Sequence, residues 1–269
     1  MGILDGKRAL IMGVADEHSI AWGIAQAMHR EGAWLAFTCQ PDPRDRPLRN
    51  LQKLLESLGP ADSFLVQPCD VREDVQIAEV FESLKERWGG LEAVAHCIAF
   101  GGREDLSRPF SEVSREGFKV AVEVSGYSLQ AVARAARPLM EAAGGGSILA
   151  LTYNAVERVV PGYSVMAEAK AVLETAVRYL AAELGPSGIR VNAISAGPVN
   201  TLSARAVRGI REMLSWTEEH APMRANVMPI DIGNTAAYLV SDLSRYVTGN
   251  TIFVDSGTHL MGPVVVAVD

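Results

Sequence analysis

Tyr163 and Lys170 stand seven residues apart in this chain. On a helix, seven steps of about 100° bring two side chains back to one face, and a rise of about 1.5 Å per residue separates them by about 10 Å. A phenol then lines up with an ammonium. In a dinucleotide-binding fold such a pair suits reduction of a conjugated carbonyl compound. The phenol donates a hydrogen bond to the oxygen that gains charge, while the ammonium holds the cofactor ribose and keeps the site positive. The same spacing also occurs on plain helix surfaces, so its meaning depends on the elements around it.

Those elements alternate. Short apolar runs at 8–12, 34–38, 64–66, 93–97, 147–151, 190–194 and 251–254 read as buried strands. Stretches with apolar residues at helical spacing separate them, at 20–30, 48–58, 75–88, 115–140, 163–184 and 231–241. Strand–helix alternation implies an α/β fold: one Rossmann-like, doubly wound parallel sheet of about seven strands with helices on both faces. No internal repeat, linker or low-complexity tract divides the chain, so residues 1–269 are expected to form a single dinucleotide-binding reductase domain. The segment 201–220 is helical in character but leads to no strand, and reads as a helical excursion beside the sheet.

In such a sheet ligands lie outside the carboxyl ends of the strands. Gly13 ends the first strand, where a glycine turn and the following helix N-terminus favour a pyrophosphate. Only Gly23 follows it at a distance, so the usual G-x-G-x-x-G fingerprint is absent. Ser19, with Ile20 behind it, caps that helix, bonds a phosphate, or does both. Gln40 ends the second strand, where its amide suits the adenosine ribose hydroxyls. Asp70-Val71 closes the third strand, either meeting the adenine amino group or capping the next helix. After the fourth strand, Ile98 approaches the cofactor and Gly101 can present its amide to substrate; His96 reads as a hydrogen-bonded core histidine. After the sixth strand, the run Gly197-Pro198-Val199-Asn200-Thr201-Leu202-Ser203 exposes backbone toward a nicotinamide, with Thr201 near the pyrophosphate, or is a plain Gly-Pro loop. No histidine or cysteine has metal-ligand spacing.

The cofactor expected is NADH, with NADPH less likely. A 2′-phosphate normally needs a cation at the end of the second strand, whereas this chain offers Cys39-Gln40-Pro41 and then the carboxylate of Asp42. Arg44 and Arg46 are the counter-evidence, held away by the stiffness of Pro41 and Pro43. A net charge of −7 argues against nucleic acid or an anionic membrane as main partner. Membrane insertion is not expected, because no apolar run approaches the roughly 20 residues needed to span a bilayer. Three cysteines, Cys39, Cys69 and Cys97, and no apolar leader read as a cytoplasmic protein with reduced thiols.

Taken together the motifs resemble the short-chain dehydrogenase/reductase superfamily, and within it the bacterial NADH-dependent enoyl-[acyl-carrier-protein] reductases. The commoner members pair tyrosine with a lysine four residues later; here that position is Met166. The Tyr-x6-Lys pair, the second tyrosine upstream at Tyr153, the long Gly13–Ala25 turn, Cys69-Asp70-Val71 and Arg190-Val191-Asn192-Ala193-Ile194-Ser195-Ala196-Gly197-Pro198 carry the resemblance over nearly the whole chain.

The resemblance implies reduction of the trans-2 double bond of enoyl thioesters on acyl carrier protein, in fatty acid elongation, by a homotetramer. Tyr163 and Lys170 would be catalytic. Tyr153 would supply a second active-site hydroxyl, and it and Tyr163 would touch the substrate beside Gly101. An apolar pocket would draw on Phe100, Tyr153, Pro161 and Met166, with 201–213 as a lid. Three features depart from the family pattern: Ala99 where glycine is frequent, Asn200 where a basic residue is frequent, and the tail from Gly262 through Val266. Two alternatives stand: a short-chain reductase of another enone or a ketone, and a catalytically silent NAD(P)-binding scaffold.

Overall fold

A computed structural model describes residues 2–207 and 209–262. The tail after Gly262, singled out above, lies outside the described residues. Seven strands form one parallel sheet in the order β3-β2-β1-β4-β5-β6-β7: β1 Arg8–Met12, β2 Trp34–Cys39, β3 Leu65–Pro68, β4 Ala93–His96, β5 Gly146–Thr152, β6 Ile189–Ala196 and β7 Thr251–Val254. All seven expected strands are present, within two residues at each end.

Side chains alternate across the pleat and build two cores. Leu10, Met12, Val94, Ile148, Ala150, Val191 and Ala193 point to one face. There they meet helices α3 (Asp74–Trp88), α6 (Ser128–Ala142) and α7 (Ser164–Leu184). Ala9, Ile11, Leu35, Phe37, Ala95, Leu149 and Ile194 point to the other. That face is covered by α1 (Ile20–Arg30), α2 (Arg46–Leu55) and α9 (Pro229–Val240). Burial on both faces is why these strands read as continuous apolar runs. Gly23 belongs to this packing: a Cβ there would collide with Pro229, and one on Gly233 would collide with the Gly23 carbonyl, so the two glycines let α1 and α9 touch.

Two expectations about helices need correction, and one short helix adds to them. The stretch 115–140 is not one helix: α5 (Arg115–Val122) and α6 flank a π-helical turn at Glu123–Tyr127. Periodicity cannot show this, because one extra residue per turn leaves the flanking patterns intact. The excursion is helical only from Ile210 onward, as α8 (Ile210–His220); before it runs a loop with a short 3₁₀ turn at Ala204–Ala206. An unanticipated short helix, α4 (Arg103–Ser107), sits between β4 and α5, where Asp105 accepts hydrogen bonds from the Ser114 N–H (2.8 Å) and hydroxyl (3.1 Å).

Candidate active site

Tyr163 is the residue that caps α7, at φ −107°, rather than a residue inside it. The helical-face argument therefore holds from Ser164 onward, and Lys170 lies two turns along. Tyr153 follows β5 directly and folds back onto Tyr163: the ring centroids are 4.9 Å apart and the planes tilted by 57°. Burial pushes both phenols up, and for Tyr153 the charge of Asp255 adds to the effect. Both therefore stay protonated near neutrality and act as hydrogen-bond donors, not bases.

Lys170 is buried, and its Nζ donates to the Leu151 carbonyl at 2.7 Å. Burial brings its ammonium down to about 8, against the opposing pull of Cys97 and Glu174. Cys97 itself is pushed up to about 12 by burial. Glu174, one turn beyond Lys170, is buried, accepts from Thr152 Oγ1 at 2.6 Å, and is raised by burial. This carboxyl was missed from sequence, although an acidic residue four positions after the lysine on one helix face was a readable signal.

The cofactor-binding candidates gather along the carboxyl edge of the sheet. Gly13 has φ +90°, and a Cβ would strike the Cys97 carbonyl, so only glycine fits where the first turn meets β4. Ile98 packs beside that position. Ser19 caps α1, accepting from Trp22 N–H at 3.3 Å while its hydroxyl donates to Asp16 O at 2.7 Å. Ile20 opens the same helix. Asp70 lies two residues beyond β3 rather than at its end, and its carboxylate is held low, first by Arg72 and also by Gln40. The ends of β2 and β3 thus come together at Gln40 and Asp70. The Val71 side chain is buried in the core.

Val199 packs on the other core. Asn200 Oδ1 accepts from Arg205 Nε at 3.3 Å, and Thr201 Oγ1 from Ala204 N–H at 3.0 Å. Leu202 and Ser203 are exposed. Ser195 Oγ and Asn154 Oδ1 are buried at this edge and make no hydrogen bond among the described residues. With the Gly13 turn and the α1 N-terminus, they leave polar capacity that suits a dinucleotide.

A cavity of ≈340 Å³ opens beside Gln40, lined by Pro41, Asp42, Asp45, Leu48 and Pro68 among others. Asp42 turns its carboxylate back to the N–H groups of Arg44 (2.9 Å) and Arg46 (3.4 Å), and the Arg46 Nε lies 3.6 Å from it. These contacts lower the Asp42 carboxyl, the Arg44 N–H most. An anion here faces a carboxylate already turned inward, and Arg46 leans on that carboxylate.

On the substrate side, Met166 Cε and Leu106 pack against Gly101, and Tyr153 OH contacts Met213 Sδ at 3.8 Å, bringing α8 to the site. Phe100 and Pro161 are not drawn in: both are exposed at the rim. His96 is buried, with Nε2 2.8 Å from Ser128 Oγ. The Ser128 hydroxyl already donates to Val124 O at 2.6 Å, so Nε2 carries the proton. Burial takes His96 down to about 3, leaving it neutral and structural.

The sequence pattern of the enoyl-(acyl carrier protein) reductase family matches residues 13–259. The chain is 48% identical over 259 residues to the NADH-dependent enoyl-[acyl-carrier-protein] reductase of Nostoc sp., covering 96% of this chain and 98% of that one. It is also 48% identical to the NADPH-dependent enzyme of Staphylococcus aureus, covering 95% and 98%. The crystal structure of the Bacillus cereus enoyl-acyl carrier protein reductase with NADP+ and indole naphthyridinone superposes with a TM-score of 0.93 at 48% identity, over 98% of this chain and 100% of that one. With one parallel sheet, two facing tyrosines and a buried lysine at its carboxyl edge, the chain belongs to the enoyl-(acyl carrier protein) reductase family.

Proposed function

We infer that the protein reduces the trans-2 double bond of enoyl thioesters carried on acyl carrier protein, using NADH, in fatty acid elongation. The observation that carries this reading is the pairing of Tyr153 and Tyr163, 4.9 Å apart, above the buried Lys170. When bound, NADH supplies the hydride that reaches the β-carbon of the enoyl group. Tyr163 donates a hydrogen bond to the thioester oxygen as charge moves onto it, the kind of oxyanion contact that usually contributes most to such a barrier. Lys170 turns its ammonium from the Leu151 carbonyl to the nicotinamide ribose and keeps the site positive. Tyr153, close enough to pack on Tyr163, supplies a second hydroxyl and shapes the pocket with Met166 and Gly101. Gly13, Ser19, Ile20, Gln40, Asp70, Val71, Ile98 and the run Val199 to Ser203 hold the dinucleotide along the sheet edge.

Preference for NADH rests on Asp42, whose inward carboxylate would repel a 2′-phosphate, and on Arg46, which is engaged with it. The whole chain serves as one reductase domain, with the 201–220 excursion as its substrate-binding part. We place it in the cytoplasm as a homotetramer; the α6–α7 face, where Ala171 and Tyr179 are exposed, supports the assembly. Among the described residues no helix is long and apolar enough to cross a membrane.

The test is an NADH-oxidation assay with a trans-2-enoyl thioester and a 3-ketoacyl thioester, repeated with NADPH at one low salt concentration. Turnover of the enoyl substrate with NADH is expected. Turnover of the ketone alone overturns the substrate assignment, and a tenfold preference for NADPH overturns the cofactor assignment.

A further inference from the structure

The π-helical turn at Glu123–Tyr127 sits between two parts of the site. On one side, Gly126 presses against α7 at the turn that carries Lys170: a Cβ there would lie 2.9 Å from Val172 Cγ1 and 3.1 Å from the Ala169 carbonyl. On the other side, Ser125, fully buried at 0% exposure, reaches the loop that leaves β4. Its hydroxyl accepts from the Phe100 N–H at 2.9 Å and donates to the Phe100 carbonyl at 3.1 Å. One side chain thus satisfies both polar groups of a residue that has no strand or helix partner. Phe100 is 56% exposed, so burial of its side chain does little to fix the loop and the backbone contact holds it. Gly101 follows directly and packs on Met166 and Leu106, three residues from the Tyr163 end of α7. Among the described residues, its N–H donates to no protein acceptor.

We propose that Ser125 is a positioning residue of the reductase site: from the π-helical turn it fixes the Phe100 peptide so that the Gly101 N–H faces the enoyl thioester beside Tyr163. The inference rests on the proposed function for the identity of the substrate. Mutual placement of reacting groups decides rates steeply, and a shift of about 1 Å in a supporting residue can cost about a hundredfold. Without the hydroxyl, both Phe100 groups lose their partner and the loop is free to move to water.

The experiment compares Ser125→Ala with Ser128→Ala at the start of α6, a control that breaks buried bonds to His96 and to the Val124 carbonyl of the π-helical turn without touching the loop. Four quantities are measured for each: melting temperature, NADH affinity, kcat and KM for a trans-2-enoyl thioester, and amide exchange across residues 97–102. For Ser125→Ala we expect kcat/KM to fall about tenfold with NADH affinity within about twofold, the size of effect that follows one unsatisfied buried peptide. Faster exchange at Phe100 and Gly101 should accompany it. Ser128→Ala should lower the melting temperature and leave kcat/KM within about twofold. Ser125→Cys, nearly isosteric and still able to bond weakly, should fall between wild type and alanine. Equal loss of kcat/KM in both alanine variants, or unchanged exchange and kcat/KM in Ser125→Ala, overturns the proposal. If Ser125→Ala does not fold, Ser125→Cys with wild-type exchange and kinetics overturns it. A wild-type protein inert toward the thioester defeats the substrate assignment instead, and the exchange comparison still decides whether Ser125 holds the loop.

Discussion

Replacing Lys170 by methionine should stabilise the free protein at neutral pH while disabling it. The ammonium is buried, and the gap between its ordinary value of 10.5 and about 8 corresponds to about 3 kcal/mol of disfavoured charge. Lys170→Met removes that cost but leaves the Leu151 carbonyl without its donor, which returns about 1–2 kcal/mol. The net expectation at pH 7 is a variant more stable by about 1–2 kcal/mol.

The pH dependence is the sharper test. Below about 8 both the folded and unfolded wild-type chains hold the Lys170 proton, so the full cost is present. Between about 8 and 10.5 the unfolded chain binds more protons than the folded one, and wild-type stability must rise with pH. Integrated from pH 7 to 9.5, the wild type should gain about 2 kcal/mol on the methionine variant, closing the gap. Cys97, Glu174 and His96 also face the ammonium. His96 stays neutral throughout, and Cys97, held up by burial, stays a thiol. Urea unfolding of both proteins at several pH values in this window measures the difference directly. Parallel curves, or a difference that widens with pH, would refute a buried ammonium in the free protein. The same substitution should weaken NADH binding, because the ribose loses its cation.

Two further outcomes follow from the geometry. Tyr163→Phe should lower turnover by about 10²–10³ with little change in NADH affinity, because only the oxyanion donor is lost. Stopped-flow turnover and fluorescence titration together check it, and lost NADH binding with turnover spared would reverse the assigned roles. The α8 helix buries only Thr217, so exchange across residues 201–220 should be fast in the free protein and slow with NADH and a substrate analogue; strong, equal protection in both forms rules out a gate.

Much of the fold was legible in the chain because its signals are local. A strand buried on both faces tends to an apolar run, as at Leu10-Ile11-Met12 and Ile148-Leu149-Ala150, and alternation with amphipathic helices leaves few topologies besides a parallel sheet. The Tyr163–Lys170 spacing, the second tyrosine and the strand-end positions were legible for the same reason: a sheet's carboxyl edge collects them wherever its strands stop. What only the tertiary structure decided depends on contacts distant in sequence. Gly23 is only a distant second glycine of the first turn until α9 is seen against it. Asp70 reads as either an adenine contact or a helix cap, and only the fold shows its carboxylate bonded to Arg72 and neighboured by Gln40 from another strand. The π-helical turn leaves no trace in periodicity, because its extra residue is absorbed within one turn. Its meaning arises only where Ser125 meets Phe100, 25 residues away, and Gly126 meets Ala169. The low value of Lys170 likewise belongs to no residue in isolation: burial beneath β5 sets it, and burial is a property of the packed chain.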